Sequence, residues 1–110
     1  MTALTFQTRL SSSSIDDYDR IHAAIPSELA RDIEAAGCDE WAIFRMGTVL
    51  THVTRVSDAA RFFGALDASA AHARWQERIA PLLDPSPLEI LADVPDHLGT
   101  LVWSLGSETS

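Results

Sequence analysis

Residues 39–46 and 48–56 read as two extended runs that meet at Met46-Gly47, and this pairing limits the fold more than any other feature of the chain. A glycine between two β-rich runs supplies the turn that a tight hairpin needs. Two such strands belong to a larger antiparallel sheet, and the rest of the chain offers its parts. Leu4, Phe6 and Thr8 alternate with Thr5, Gln7 and Arg9 as an earlier strand ending near Leu10. Residues 98–105 alternate enough to form a last strand.

Between the first strand and the hairpin the period changes. Ile15, Tyr18, His22, Ile25 and Leu29 recur at steps of three and four, which is one face of a helix. Ser13 or Ser14 can cap its start, with Asp16 and Asp17 in the first turn facing the positive end of the helix dipole. Pro26 interrupts the face. It has no N–H to bond the carbonyl of His22, four residues back, and its ring crowds that carbonyl. The helix should bend or break just after His22, resume from 27 to about 36, and end at Gly37 in a left-handed conformation.

After the hairpin, Ser57 or Asp58 caps a short helix through Ala65 or Leu66, and Asp67 or Ser69 caps another to about Leu82. Residues 84–97 hold three prolines and read as a long connection, and 106–110 as a frayed tail. The order is strand, helix, strand, strand, helix, helix, strand. One antiparallel sheet with helices on one face is the natural packing, and the ferredoxin-like βαββαβ plan is its simplest form. The expected class is therefore α+β, with residues 1–110 as a single domain. The other sheet face needs cover, and a homodimer packed face to face would provide it.

The formal net charge of −8 argues against nucleic acid or an anionic membrane as partner, because both require clustered Lys and Arg. It raises no objection to a small neutral ligand. The single cysteine, Cys38, excludes an intrachain disulfide and suits a reducing compartment. With no apolar run behind a basic start and none of membrane-spanning length, the cytoplasm is the expected location.

Tyr18 and His22 stand one helical turn apart on one side of the first helix. The phenol donates or accepts a hydrogen bond, and the imidazole passes a proton near neutral pH. Spacing alone also fits a half-buried histidine beside a core tyrosine, but the break at Pro26 opens space at His22. Trp41, Trp75 and Trp103 offer flat apolar faces with an N–H, suited to a sugar ring and equally to a core. His52, His72 and His97 lack ligand spacing beside a cysteine or carboxylate cluster, so no metal site is expected, and His52 and His72 read as ordinary polar positions. The Asp16-Asp17 pair reads as a solvated helix start. Cys38 lacks a basic neighbour that would activate it, and there is no phosphate loop.

Taken in order, Tyr18-Asp19-Arg20-Ile21-His22, Ile25, Glu28-Leu29, Gly37, Trp41-Ala42-Ile43-Phe44, Arg74-Trp75 and Pro81 form a series. It resembles the L-rhamnose mutarotase family, which includes L-fucose mutarotase-like members. The resemblance runs from the first strand to Leu105. It implies a dimeric ferredoxin-like α+β unit that interconverts the α and β anomers of a free deoxy sugar without a metal or organic cofactor. It implies His22 as proton donor and Tyr18, Trp41 and Trp75 as sugar contacts. Trp41 stands where the family has a tyrosine, and Gln76 where it has a second aromatic after Trp75, so the pocket wall differs. A different reading is a ferredoxin-fold binding protein or small monooxygenase that holds an apolar ligand between sheet and helices.

Overall fold

The computed structural model describes residues 2–23, 25–84 and 88–105. In chain order its elements are β1 (Thr2–Arg9), α1 (Ile15–His22), α2 (Ser27–Ala35), β2 (Cys38–Met46), β3 (Val49–Val56), α3 (Ala59–Ala68) and α4 (Ala70–Ile79). A 3-10 turn (Ala80–Leu82), β4 (Glu89–Leu91) and β5 (Thr100–Ser104) follow. No helix among the described residues is long and apolar enough to cross a membrane.

The hairpin forms as its sequence requires. β2 and β3 pair antiparallel, with Met46 opposite Val49 and Gly47 turning the chain at φ 61°. β1 pairs with β3 along its whole length, from Thr2 opposite Val56 to Arg9 opposite Val49. Parity then decides what each strand buries. Leu4 and Phe6 of β1, Leu50, His52, Thr54 and Val56 of β3, and Ile43 of β2 share the face that carries the helices.

Breaks between helices fall where the chemistry of the chain puts them. α1 stops at His22 and α2 begins after Pro26, which sits extended at ψ 136°. Gly37 closes α2 at φ 89°, and a Cβ there would collide with the Ser57 side chain. Asp58 caps α3 by accepting from the Arg61 amide at 2.8 Å. Ser69 caps α4 by accepting from the His72 amide at 3.0 Å, and its own hydroxyl donates to Asp32 of α2 at 2.6 Å. That last bond ties α4 to α2. Ser14 occupies the cap position of α1 but gives the helix no side-chain bond; its hydroxyl pairs with Ser11 at 2.6 Å. The last turn of the α4 region tightens to 3-10 at Ala80–Leu82, because Pro81 lacks the N–H of a regular turn.

The sheet order is β4-β1-β3-β2-β5. β1, β2, β3 and β4 fill the βαββαβ plan, and β5 is added on the far edge, against β2. Residues 84–97, expected to be only a connection, thus contain the fourth strand. β4 is three residues long and sits among prolines, so no alternation reveals it. The final strand is also shorter than expected, at Thr100–Ser104. A bulge at Val102 keeps Trp103 opposite Ile43, on the helix side. Because β4 and β5 lie on opposite edges, residues 92–99 cross the sheet on its other face. There Val94 and Leu98 border a cleft with Ala42, Phe44 and Val53. The expected tail at 106–110 lies outside the described residues.

Candidate active site

His22 is the last residue of α1 and is 2% exposed. Its Nδ1 lies 3.0 Å from the carbonyl oxygen of Tyr18, one turn back. A carbonyl only accepts, so Nδ1 carries the proton and Nε2 of the neutral ring bears a lone pair with no hydrogen-bond partner among the described residues. Desolvation lowers the His22 pKa from 6.5 to about 4, against a smaller opposite pull from the Tyr18 carbonyl and Asp19. At neutral pH His22 is an uncharged proton acceptor. The Tyr18 ring stacks on the imidazole with centroids 3.9 Å apart, and Trp75 meets it edge-on at 5.0 Å. Tyr18 is 1% exposed, and burial together with the Asp19 charge raises its pKa, so its phenol stays protonated.

α1 is pinned over the sheet by a two-pronged ion pair: Arg45 of β2 donates through Nε at 3.1 Å and Nη2 at 2.8 Å to the two oxygens of Asp19. Asp19 stands between Tyr18 and His22 in sequence, so the pair fixes the turn that carries both.

Two adjoining cavities open from this pair. The inner one, about 60 Å³, is lined by Tyr18, His22, Trp41 and Trp75 together with His52 and Trp103. The outer one, about 330 Å³, lies between β1, β3 and the helices α3 and α4. Tyr18, Trp41, His52, His72, Gln76 and Ile79 line both, so they form the shared wall. The four residues singled out from the sequence therefore surround one space, with His22 and Trp75 at the inner end only. The outer cavity is mostly apolar, through Phe62, Phe63, Leu66 and Leu88, with polar groups at Thr8, Asp67, His72 and Gln76. Its volume falls in the range of small-molecule sites.

Of the polar part of the wall, the sequence points only to Gln76. His52, read from the sequence as an ordinary polar position, is 7% exposed and stacks on Phe6 at 4.5 Å. It accepts from Trp41 Nε1 at 3.2 Å through Nδ1, and its Nε2 lies 3.0 Å from Thr8 Oγ1. Burial, and to a lesser degree the charge of a protonated His22, lowers its pKa to about 3, so it stays neutral. His72 likewise faces both cavities, 3.0 Å from the Gln76 amide. The missed signal was parity: His52 is two residues from Leu50 and four from Val56, both fully buried. Trp103 lines the inner cavity with a buried indole N–H that has no hydrogen-bond partner among the described residues. Cys38 is buried away from this wall, and desolvation pushes its thiol up to about 11, which leaves it unreactive.

Likeness to known proteins appears at two levels, fold and family. No curated protein sequence matches the chain. Among solved structures, the L-rhamnose mutarotase of Formosa agariphila superposes with a TM-score of 0.71 at 21% identity, covering 88% of this chain and 99% of that one. A protein assigned as an antibiotic biosynthesis monooxygenase from Nitrosomonas europaea superposes with a TM-score of 0.60 at 9% identity, covering 88% of this chain and 100% of the other. At these identities the likeness is one of fold, the ferredoxin-like α+β sheet. The L-rhamnose mutarotase family model matches residues 3–98. That span includes both cavities' helices and all four residues of the Tyr18, His22, Trp41 and Trp75 constellation, and the chain belongs to the L-rhamnose mutarotase family, isomerases that act on sugar anomers.

Proposed function

We propose that His22 is the proton carrier of anomer exchange on a neutral 6-deoxy monosaccharide, such as L-rhamnose or L-fucose. The observation that carries this reading is the Tyr18–His22 stack, with Nε2 of a neutral imidazole left free at the inner end of a sugar-sized space. The sugar body occupies the outer cavity, where Phe62, Phe63 and Leu66 suit a methyl group and the C–H faces of the ring. Its anomeric end reaches the inner cavity, which is too small for a whole ring.

Ring opening moves one proton between two oxygens on the same carbon. His22 Nε2 takes the proton of the anomeric hydroxyl, the bond from the anomeric carbon to the ring oxygen breaks, and the imidazolium gives the proton to that ring oxygen. Rotation of the free aldehyde and the reverse steps close the other anomer. His22 is the donor whenever the imidazolium forms, and its depressed pKa makes that imidazolium a strong acid. Tyr18 remains a phenol and orients the sugar by hydrogen bonding. Trp41 and Trp75 supply apolar faces, and the Trp103 N–H is a donor for an oxygen in the inner cavity.

Anomeric exchange of L-rhamnose and L-fucose followed by NMR tests the assignment. We expect His22→Ala to slow exchange by about 10²-fold or more, within the ordinary contribution of a positioned acid/base group. Exchange at the wild-type rate in that variant removes His22 from the reaction.

A homodimer fits the same reading. The sheet face away from the helices carries Phe44, Val53 and Leu101, the last 53% exposed, beside Val94 and Leu98 of the segment that crosses it. Packing two such faces together would bury them. Val53→Lys should then shift the mass measured by light scattering from dimer to monomer; a monomeric wild type contradicts the pairing. The lone, buried Cys38 suits a reducing cytoplasm.

A further inference from the structure

The wall between the two cavities contains a hydrogen-bond chain whose direction is fixed by its first member. Trp41 Nε1–H can only donate, and it donates to His52 Nδ1 at 3.2 Å. Nδ1 is therefore bare, and the neutral ring must carry its proton on Nε2. Nε2 lies 3.0 Å from Thr8 Oγ1, so Thr8 accepts there. The threonine hydroxyl is left with its own proton, and no other partner for it is found among the described residues. Thr8 lines the outer cavity. Each donation polarises the next group, so the terminal O–H is a better donor than an isolated hydroxyl. The chain holds its direction because a protonated His52 would set Nδ1–H against the Trp41 N–H, and burial keeps His52 neutral.

We propose that Thr8 is a specificity-determining residue: the Trp41–His52–Thr8 chain aims its hydroxyl proton into the outer cavity, where it binds one hydroxyl oxygen of the sugar. This rests on the mutarotase reading of the cavity. It adds a polar contact from β1 to a site whose other sugar contacts come from α1, β2, α3, α4 and β5. It also gives Trp41 a second task besides its apolar face, that of orienting His52. A sugar lacking the oxygen that meets Thr8 leaves a directed donor unpaired in a largely apolar space, which is the stronger form of discrimination available to a small site.

The experiment measures binding of the turned-over sugar and of its monodeoxy analogues to wild type, Thr8→Ser and Thr8→Val. In wild type one analogue should bind about 10-fold more weakly than the parent, the loss of one neutral hydrogen bond. Thr8→Val should abolish that one penalty and leave those at other positions unchanged, with KM for the parent sugar raised and kcat within a factor of about two. Thr8→Ser should keep the wild-type pattern. If Thr8→Val retains every wild-type penalty, the proposal is overturned; a general loss of packing would weaken parent and analogues alike. The His52 tautomer, read on wild type by long-range ¹H–¹⁵N NMR, is a check that needs no variant to fold. Protonation at Nε2 is expected, and protonation at Nδ1 overturns the chain. Absence of anomer exchange in wild type sinks the mutarotase reading instead, and the tautomer is still read without sugar.

Discussion

At the scale of the residue, His22 owes its chemistry to two facts that the sequence shows only in part. Tyr18 and the Pro26 break are legible, and they place an imidazole at a helix end with room beside it. Its burial is not legible, because it depends on Trp75 and Trp103 arriving from elements 53 and more residues away. Burial is what sets the protonation state, and it yields a test. The base form is the active one in ring opening, so protonation of His22 removes activity on the acid side. With a pKa near 4 rather than 6.5, kcat/KM should stay level from about pH 8 to about pH 5 and fall below that. The profile is read only where circular dichroism shows the fold intact. An acid limb near 6.5 would mean that His22 is solvated. His52 and Thr8 show the opposite case. Both were visible on the buried parity of their strands, beside Leu50 and Phe6, but a polar residue on an apolar face acquires meaning only when its partner is known.

At the scale of the element, signals local in sequence held, except the Ser14 cap, whose hydroxyl pairs with Ser11 instead, and those that need a distant partner did not. The hairpin, the cap at Asp58, the second cap at Ser69 and the stop at Gly37 were all written into neighbouring residues. β4 exists only because β1 offers a free edge, and its three residues match no period of their own. The Arg45–Asp19 pair is another such case, joining residues 26 apart. It holds α1 against β2, and so sets where His22 sits. Arg45 is mostly buried at its side chain (18% exposed), while Asp19 is 39% exposed, so solvent screens part of the attraction. A double-mutant cycle of Arg45→Ala and Asp19→Ala should give a coupling of about 1 kcal/mol in urea unfolding. Both single variants should also lower kcat/KM several-fold, because the turn carrying His22 loosens. A coupling indistinguishable from zero, with activity unchanged, would show that α1 is held by packing alone.

At the scale of the whole molecule, the same burial that tunes the site makes the fold sensitive to acid. His22 and His52 are neutral inside the protein, with pKa values of about 4 and about 3, against 6.5 in an unfolded chain. Well above pH 6.5 both states are neutral and these two histidines contribute no pH dependence. As the pH falls from 6.5 towards 4, the unfolded chain binds protons that the folded one refuses, so stability rises with pH across this window. Each histidine costs about 1.4 kcal/mol per pH unit there, and the pair lowers stability by roughly 4 kcal/mol between pH 7 and pH 5. That is a large share of the ~5–15 kcal/mol that holds a typical domain together. Urea unfolding at a series of pH values should show this loss, with an undiminished plateau above pH 7. His52→Gln removes one titrating group from the core and should lower the slope between pH 6 and pH 5, while the His22 and His72 shifts remain, even though it lowers stability at pH 7 by disturbing the Trp41 and Thr8 bonds. If wild-type stability does not change from pH 7 to pH 5, the two imidazoles are not held neutral by burial. The direction of the Trp41–His52–Thr8 chain and the protonation state assigned to His22 would then both have to be given up.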